Sequence, residues 1–226
     1  MARYSKLQVL TKMEETGLVP VFYNPDIETA KSILKACADG GAHTIEMTNR
    51  GDHAIDVFTE LEKYAAKEFP ELILGVGSIV DAPTAAMYIA HGACFIVGPC
   101  LDKETAFMCN KRNVPYMPGC GTATEIHEAQ TLGVDICKIF PGRIVGGPEF
   151  VKAVRAPMPW TKIMPTGGVN PTAESIKEWF SSGISAAGIG SNLITKELMA
   201  KKDYTTMAAN IKKTIEMIAD VRRNMK

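Results

Sequence analysis

Residues Lys162 to Val169 read K-I-M-P-T-G-G-V, and Ala186 to Leu193 read A-A-G-I-G-S-N-L. Each is a short apolar run that enters a glycine-containing turn and then a helical pattern. Runs of this length between turn signals read as strands. Backbone N–H groups exposed at a glycine turn and a helix N-terminus bind phosphate well. In (β/α)8 barrels the phosphate site is often built from the loops after strands seven and eight. One such turn alone is equally an ordinary strand-to-helix connection with glycine for backbone freedom. Two in succession, at the end of a long βα series, carry more weight.

That series extends upstream through the chain. An opening helix, Tyr4 to Thr16, ends at Gly17. Strands follow at Leu18–Phe22, His43–Thr48, Leu72–Gly77, Cys94–Gly98 and Pro115–Gly119, with a sixth around Lys138. Helical patterns separate them: Asp26 (as N-cap) to Ala38, Asp52–Lys67, Ala82–Ala90, Lys103–Lys111 and Thr122–Thr131. Eight βα units in one chain predict a single (β/α)8 TIM barrel over residues 1–226 with an extra N-terminal helix. An open doubly wound sheet is the alternative. No G-x-G-x-x-G follows the first strand, where such sheets carry it.

Lys138 stands out within G-V-D-I-C-K-I-F-P, Gly133 to Pro141. Strand alternation puts Ile136, Lys138 and Phe140 on one face, with Asp135, Cys137 and Ile139 on the other. An ammonium among apolar neighbours is costly to desolvate, so its pKa should fall. A neutral lysine amine attacks ketones and forms Schiff bases. A lysine with its stem on apolar surface and its head in water is the plainer alternative. On the second strand, alternation groups Thr44, Glu46 and Thr48 against Ile45 and Met47. The apolar pair suits outer helices, so Glu46 should point inward, with Arg50 just past the strand end. A structural Glu46–Arg50 or Glu46–Lys138 ion pair is the competing reading. A buried base and an imine-forming amine in one barrel favour function.

Composition narrows the classes. The chain has 226 residues, 46% of them apolar, and 25 basic side chains balance 25 acidic ones. Zero net charge argues against general nucleic-acid binding, which needs a basic face. M-A-R-Y-S-K-L-Q lacks a signal-peptide core, and no apolar run is long enough to span a membrane, so a cytoplasmic protein is expected. Six scattered cysteines form no C-x-x-C pair and read as buried free thiols of a reducing compartment. His43, His53, His91 and His127 are dispersed, and no metal-ligand cluster is visible.

The motifs I-E-M-T-N-R, G-V-G-S, V-G-P, P-G-C-G-T, C-K-I-F-P, M-P-T-G-G-V and G-I-G-S-N resemble those of the bacterial 2-keto-3-deoxy-6-phosphogluconate aldolases. That group also includes 4-hydroxy-2-oxoglutarate aldolase activity. The resemblance runs in order from about Leu18 to Leu193. It implies a class I aldolase barrel that needs no cofactor, is usually a homotrimer and cleaves a phosphorylated 2-keto-3-deoxy sugar acid. It implies that Lys138 forms the Schiff base and Glu46 shuttles protons. Arg50 would bind the substrate carboxylate, helped by Ser78. Pro99 and Phe140 would line the pocket, and Thr166, Gly167, Gly168 and Ser191 would hold the distal end. Three departures stand out. Ser78 is often threonine in the family. Gly142 and Arg143 replace a frequent Ala-Glu. Tyr23 and Asn24 stand where some members carry a basic residue. Two other readings compete: a phosphosugar isomerase or epimerase, which needs no imine lysine, and a non-catalytic sugar-phosphate binding protein.

Overall fold

The computed structural model describes residues 3–225. The chain opens with α1 (Lys6–Thr16), β1 (Leu18–Phe22), α2 (Ile27–Asp39), β2 (Thr44–Thr48), α3 (Ala54–Glu68) and β3 (Ile73–Gly77). It continues with α4 (Ala82–Ala90), β4 (Ile96–Val97), α5 (Lys103–Arg112), β5 (Tyr116–Met117), β6 (Gly119–Cys120) and α6 (Ala123–Thr131). Then come β7 (Ile136–Ile139), α7 (Gly147–Arg155), β8 (Lys162–Pro165), α8 (Ala173–Ser181) and β9 (Ala187–Ile189). Two helices end the chain, α9 (Lys196–Lys201) and α10 (Tyr204–Arg223).

Local chemistry explains the alternation. Asp26, Asp81, Asp102, Thr122 and Thr172 each accept a hydrogen bond from the backbone N–H three residues on, which starts the following helix. Ser5 and Gln8 form a reciprocal capping box on α1, and Gly17 ends that helix in the left-handed conformation at φ 72°. None of the helices among the described residues is long and apolar enough to cross a membrane.

The fold is α/β with parallel strands. One sheet has the order β5-β4-β3-β2-β1-β9 and the other β6-β7-β8. Nine strands in two sheets thus stand where the sequence suggested eight in one ring. The division falls at Pro118, between β5 and β6, because proline has no N–H to give to a ladder. Its carbonyl still accepts from Lys138 N at 3.0 Å. At the other boundary, Thr166 forms an isolated parallel bridge with Gly188.

Two cores lie on opposite faces of the strands. Ile45, Met47, Cys137 and Ile139 pack outward with the helices. Val19, Ile73, Phe95, Val97, Met117, Ile136 and Met164 pack inward with Val9 and Met13 of α1. The N-terminal helix therefore covers one end of the strand interior. Each of its two fully buried side chains contributes about 1.5–3 kcal/mol of apolar burial. Five of the six cysteines are buried, and Cys100 is exposed.

Candidate active site

The inward face of β2 carries Thr44, Glu46 and Thr48, all buried, as alternation against Ile45 and Met47 requires. On β7 the inward face carries Ile136 and then Lys138. Glu46 is 1% exposed and Lys138 5% exposed, so neither is a surface group with its head in water. The glycine pattern makes room for them. A Cβ at Gly77, one strand over from Glu46, would lie 1.7 Å from the Glu46 Oε1. Gly119 is the register partner of Lys138, and a Cβ there would lie 2.0 Å from the Pro99 carbonyl oxygen. Pro99 is thereby brought beside the strand position that carries the lysine.

Burial sets the electrostatics. Desolvation lowers the Lys138 pKa; the Glu46 carboxylate pulls it back up, and the Arg50 guanidinium pushes it down again. Desolvation raises the Glu46 pKa, while Lys138 and Arg50 hold it back. The ion pairs considered from sequence are not formed by direct contact. Glu46 Oε2 is buried without a hydrogen-bond partner, and Arg50 Nε donates instead to Ser78 Oγ at 3.3 Å. Ser78 itself sits at φ 61°, a conformation that side chains other than glycine seldom adopt and that tends to cluster at functional sites. The Lys138 Nζ lies 4.8 Å from the centroid of the Phe140 ring, the next inward residue along the chain.

Above this layer opens a cavity of about 490 Å³. Arg50, Phe140, Thr166, Gly167, Gly168 and Ser191 line it, so six of the residues singled out from sequence meet there. Glu46 and Lys138 lie one strand alternation below Thr48 and Phe140, which form part of its wall. Ser78 reaches the site through Arg50. The two glycine turns face the cavity together and are braced to each other, since Asn192 Nδ2 donates to Asn170 Oδ1 at 2.7 Å. The helix after the first turn begins only at Ala173. The N–H groups at Gly167 and Gly168 therefore belong to the turn and not to the helix start. Thr166 Oγ1 is buried without a partner.

Three positions left open by the sequence have definite places. Arg143 is held outside the cavity by a two-pronged contact with Glu178 at 2.9 and 3.0 Å. Asn24 Oδ1 accepts from Asp26 N at 2.9 Å and so serves the local turn. Tyr23 lines the cavity, with its hydroxyl over Gly51. His53 is exposed and paired with Asp56 at 3.4 Å, away from the lining. Lys196, Asn192 and Met199 also line the cavity and were not picked out from sequence. Only the Thr195–Lys196 step into a helix marked that region, and it reads as an ordinary cap.

Fold and site together define a class: a parallel α/β protein with a lysine and a carboxylate buried beneath a cavity lined by cations and glycine turns. The chain belongs to the KDPG and KHG aldolase family, whose model matches residues 9–210. It is 32% identical to the 2-dehydro-3-deoxy-phosphogluconate aldolase of Pseudoalteromonas atlantica over 69% of this chain and 70% of that one. It is 25% identical to the enzyme of the same name from Treponema pallidum over 94% and 98% of the two chains. The crystal structure of the 2-keto-3-deoxy-6-phosphogluconate aldolase from Zymomonas mobilis matches with a TM-score of 0.79 at 26% identity, covering 90% of this chain and 94% of that one.

Proposed function

We infer that this protein is a class I aldolase, a carbon–carbon lyase. It cleaves 2-keto-3-deoxy-6-phosphogluconate to pyruvate and glyceraldehyde 3-phosphate, and acts also on 4-hydroxy-2-oxoglutarate to give pyruvate and glyoxylate. The observation that carries the chemistry is a lysine and a carboxylate almost wholly buried beneath one cavity, where desolvation favours the neutral form of each. Membership of the family supports the reaction.

The steps follow from that pair. Neutral Lys138 attacks the C2 ketone, and loss of water gives a protonated imine. Glu46, the other titratable group buried at that level, moves the protons of the carbinolamine stage. The imine is an electron sink. Removal of the C4 hydroxyl proton breaks the C3–C4 bond, and its electrons form a pyruvate enamine while the aldehyde departs. Protonation at C3 and hydrolysis release pyruvate and return the amine. Arg50, positioned by Ser78, takes the carboxylate, Phe140 and Pro99 line the reacting centre, and Thr166, Gly167, Gly168 and Ser191 take the distal end.

The two sheets are read as arcs of one closed (β/α)8 barrel forming a single domain over residues 1–226. The Thr166–Gly188 bridge and the Pro118 carbonyl contact support closure at the two boundaries. A homotrimer rests on the family resemblance, and a cytoplasmic location on the scattered cysteines and the lack of a signal-peptide pattern or apolar span. Light scattering giving a monomer mass would overturn the trimer.

Incubation with pyruvate and borohydride tests the whole reading. It should add one covalent mass at Lys138 and abolish turnover. Labelling at another lysine overturns the assignment of Lys138, and no labelling returns the protein to the isomerase or binding-protein class.

A further inference from the structure

The cavity has two charged side chains in its lining, Arg50 and Lys196, and both are cations. They belong to different ends. Arg50 follows β2 and is hydrogen-bonded to Ser78, in the layer above Glu46. Lys196 follows β9, five residues beyond Ser191, on the side of the glycine turns. The carboxylate next to it in sequence, Glu197, is taken by Lys201 at 2.6 Å. Lys196 itself enters no ion pair among the described residues.

The neighbouring rim groups are committed elsewhere. Arg143 is held by Glu178. Asn24 is held in its turn, and the Tyr23 hydroxyl leans over Gly51 at the Arg50 side. The distal wall carries in addition Thr166 Oγ1, a buried hydroxyl oxygen without a partner. Gly188 makes space for it, because a Cβ there would lie 2.4 Å away. An ammonium outside any ion pair and a hydroxyl without a partner, both in the lining of one cavity, suit an anion with several acceptor oxygens.

We propose that Lys196 is a specificity-determining residue of the distal end, where its ammonium selects substrates that end in a phosphate monoester over the same chain ending in a hydroxyl. The proposal rests on the aldolase reading.

The test compares Lys196→Ala and Lys196→Arg with the unaltered enzyme on 2-keto-3-deoxy-6-phosphogluconate and its unphosphorylated counterpart. In Lys196→Ala the ratio of kcat/KM, phosphorylated over unphosphorylated, should fall about ten-fold, the size of one hydrogen bond to a charged group. The loss should lie in KM, and inorganic phosphate should inhibit the variant more weakly than the unaltered enzyme. Lys196→Arg should recover most of the ratio. An unchanged ratio, or an equal loss on both substrates, overturns the proposal. Pyruvate–borohydride labelling of Lys138 runs in parallel. If the unaltered enzyme labels and the ratio does not move, Lys196 alone is misassigned; if it does not label, the aldolase reading falls and this proposal with it.

Discussion

Ile136 and Lys138 stand on the same face of β7, two residues apart. Ile136 belongs to an apolar layer with Val19, Phe95, Met117 and Met164, covered from outside by Val9 and Met13 of α1. Lys138 belongs to the next layer with Glu46, where one carboxylate oxygen has no partner. The first layer obeys the rules of a core, close packing without polar atoms. The second breaks them, keeping two ionisable groups out of water. The two are linked: the packed layer closes the interior from one side, and the resulting low-dielectric surroundings shift both pKa values. Stability and reactivity are therefore held in adjoining layers, and variants should separate them.

Glu46→Gln should have the largest effect on turnover, lowering kcat by about two to four orders of magnitude while leaving thermal stability nearly intact. Its pH dependence has a definite sign. The Glu46 carboxylate raises the Lys138 pKa, so its removal should move the pyruvate-trapping profile to lower pH. Near-normal turnover, or a shift to higher pH, would erase the distinction between the layers.

Met13→Ala should do the reverse. Truncating a buried methionine costs about 2–5 kcal/mol, visible as a lower urea midpoint. Turnover per folded molecule should hold. A large fall in kcat with an unmoved midpoint would show that α1 takes part in the chemistry.

The smallest effects distinguish the two ends of the cavity. Arg50→Ala should cost about 2–3 kcal/mol in kcat/KM on phosphorylated and unphosphorylated substrates alike, because both carry the carboxylate. It should also move the trapping profile to higher pH, since Arg50 depresses the lysine. Ser191→Ala should cost about 1.5 kcal/mol, and only with the phosphorylated substrate. If Arg50→Ala changes the ratio between substrates more than Ser191→Ala does, the carboxylate and phosphate ends are transposed.

Much of this was legible because strand alternation has a period of two. Thr44 to Thr48 and Ile136 to Phe140 assign their faces unaided, and the structure places Glu46 and Lys138 inward as read. Helix starts were legible at Asp26 and Thr122, where side chains cap the backbone locally. The strand at Cys94–Gly98 came out shorter than read, and the one at Pro115–Gly119 came out as two-residue pieces on either side of Pro118, which interrupts its pairing. Helix α7 carried no readable start. It follows Gly146 at φ 121°, without a side-chain cap. Lys196 was illegible for a different reason. Its place in the cavity depends on how the chain after β9 returns across the strand ends, and no local pattern encodes that.

Gly77 bears on how the sequence can drift. Its backbone lies outside the left-handed region, so conformation alone would admit alanine there. What excludes alanine is the carboxylate oxygen that would sit 1.7 Å from the added methyl. The Glu46 side chain is flexible enough to swing away, and the chain could then still fold. A mutational survey scored on soluble protein would pass Gly77→Ala, and one scored on pyruvate release would reject it. Inheritance at this position is thus governed by a residue on the neighbouring strand, and selection acts on the two as one unit.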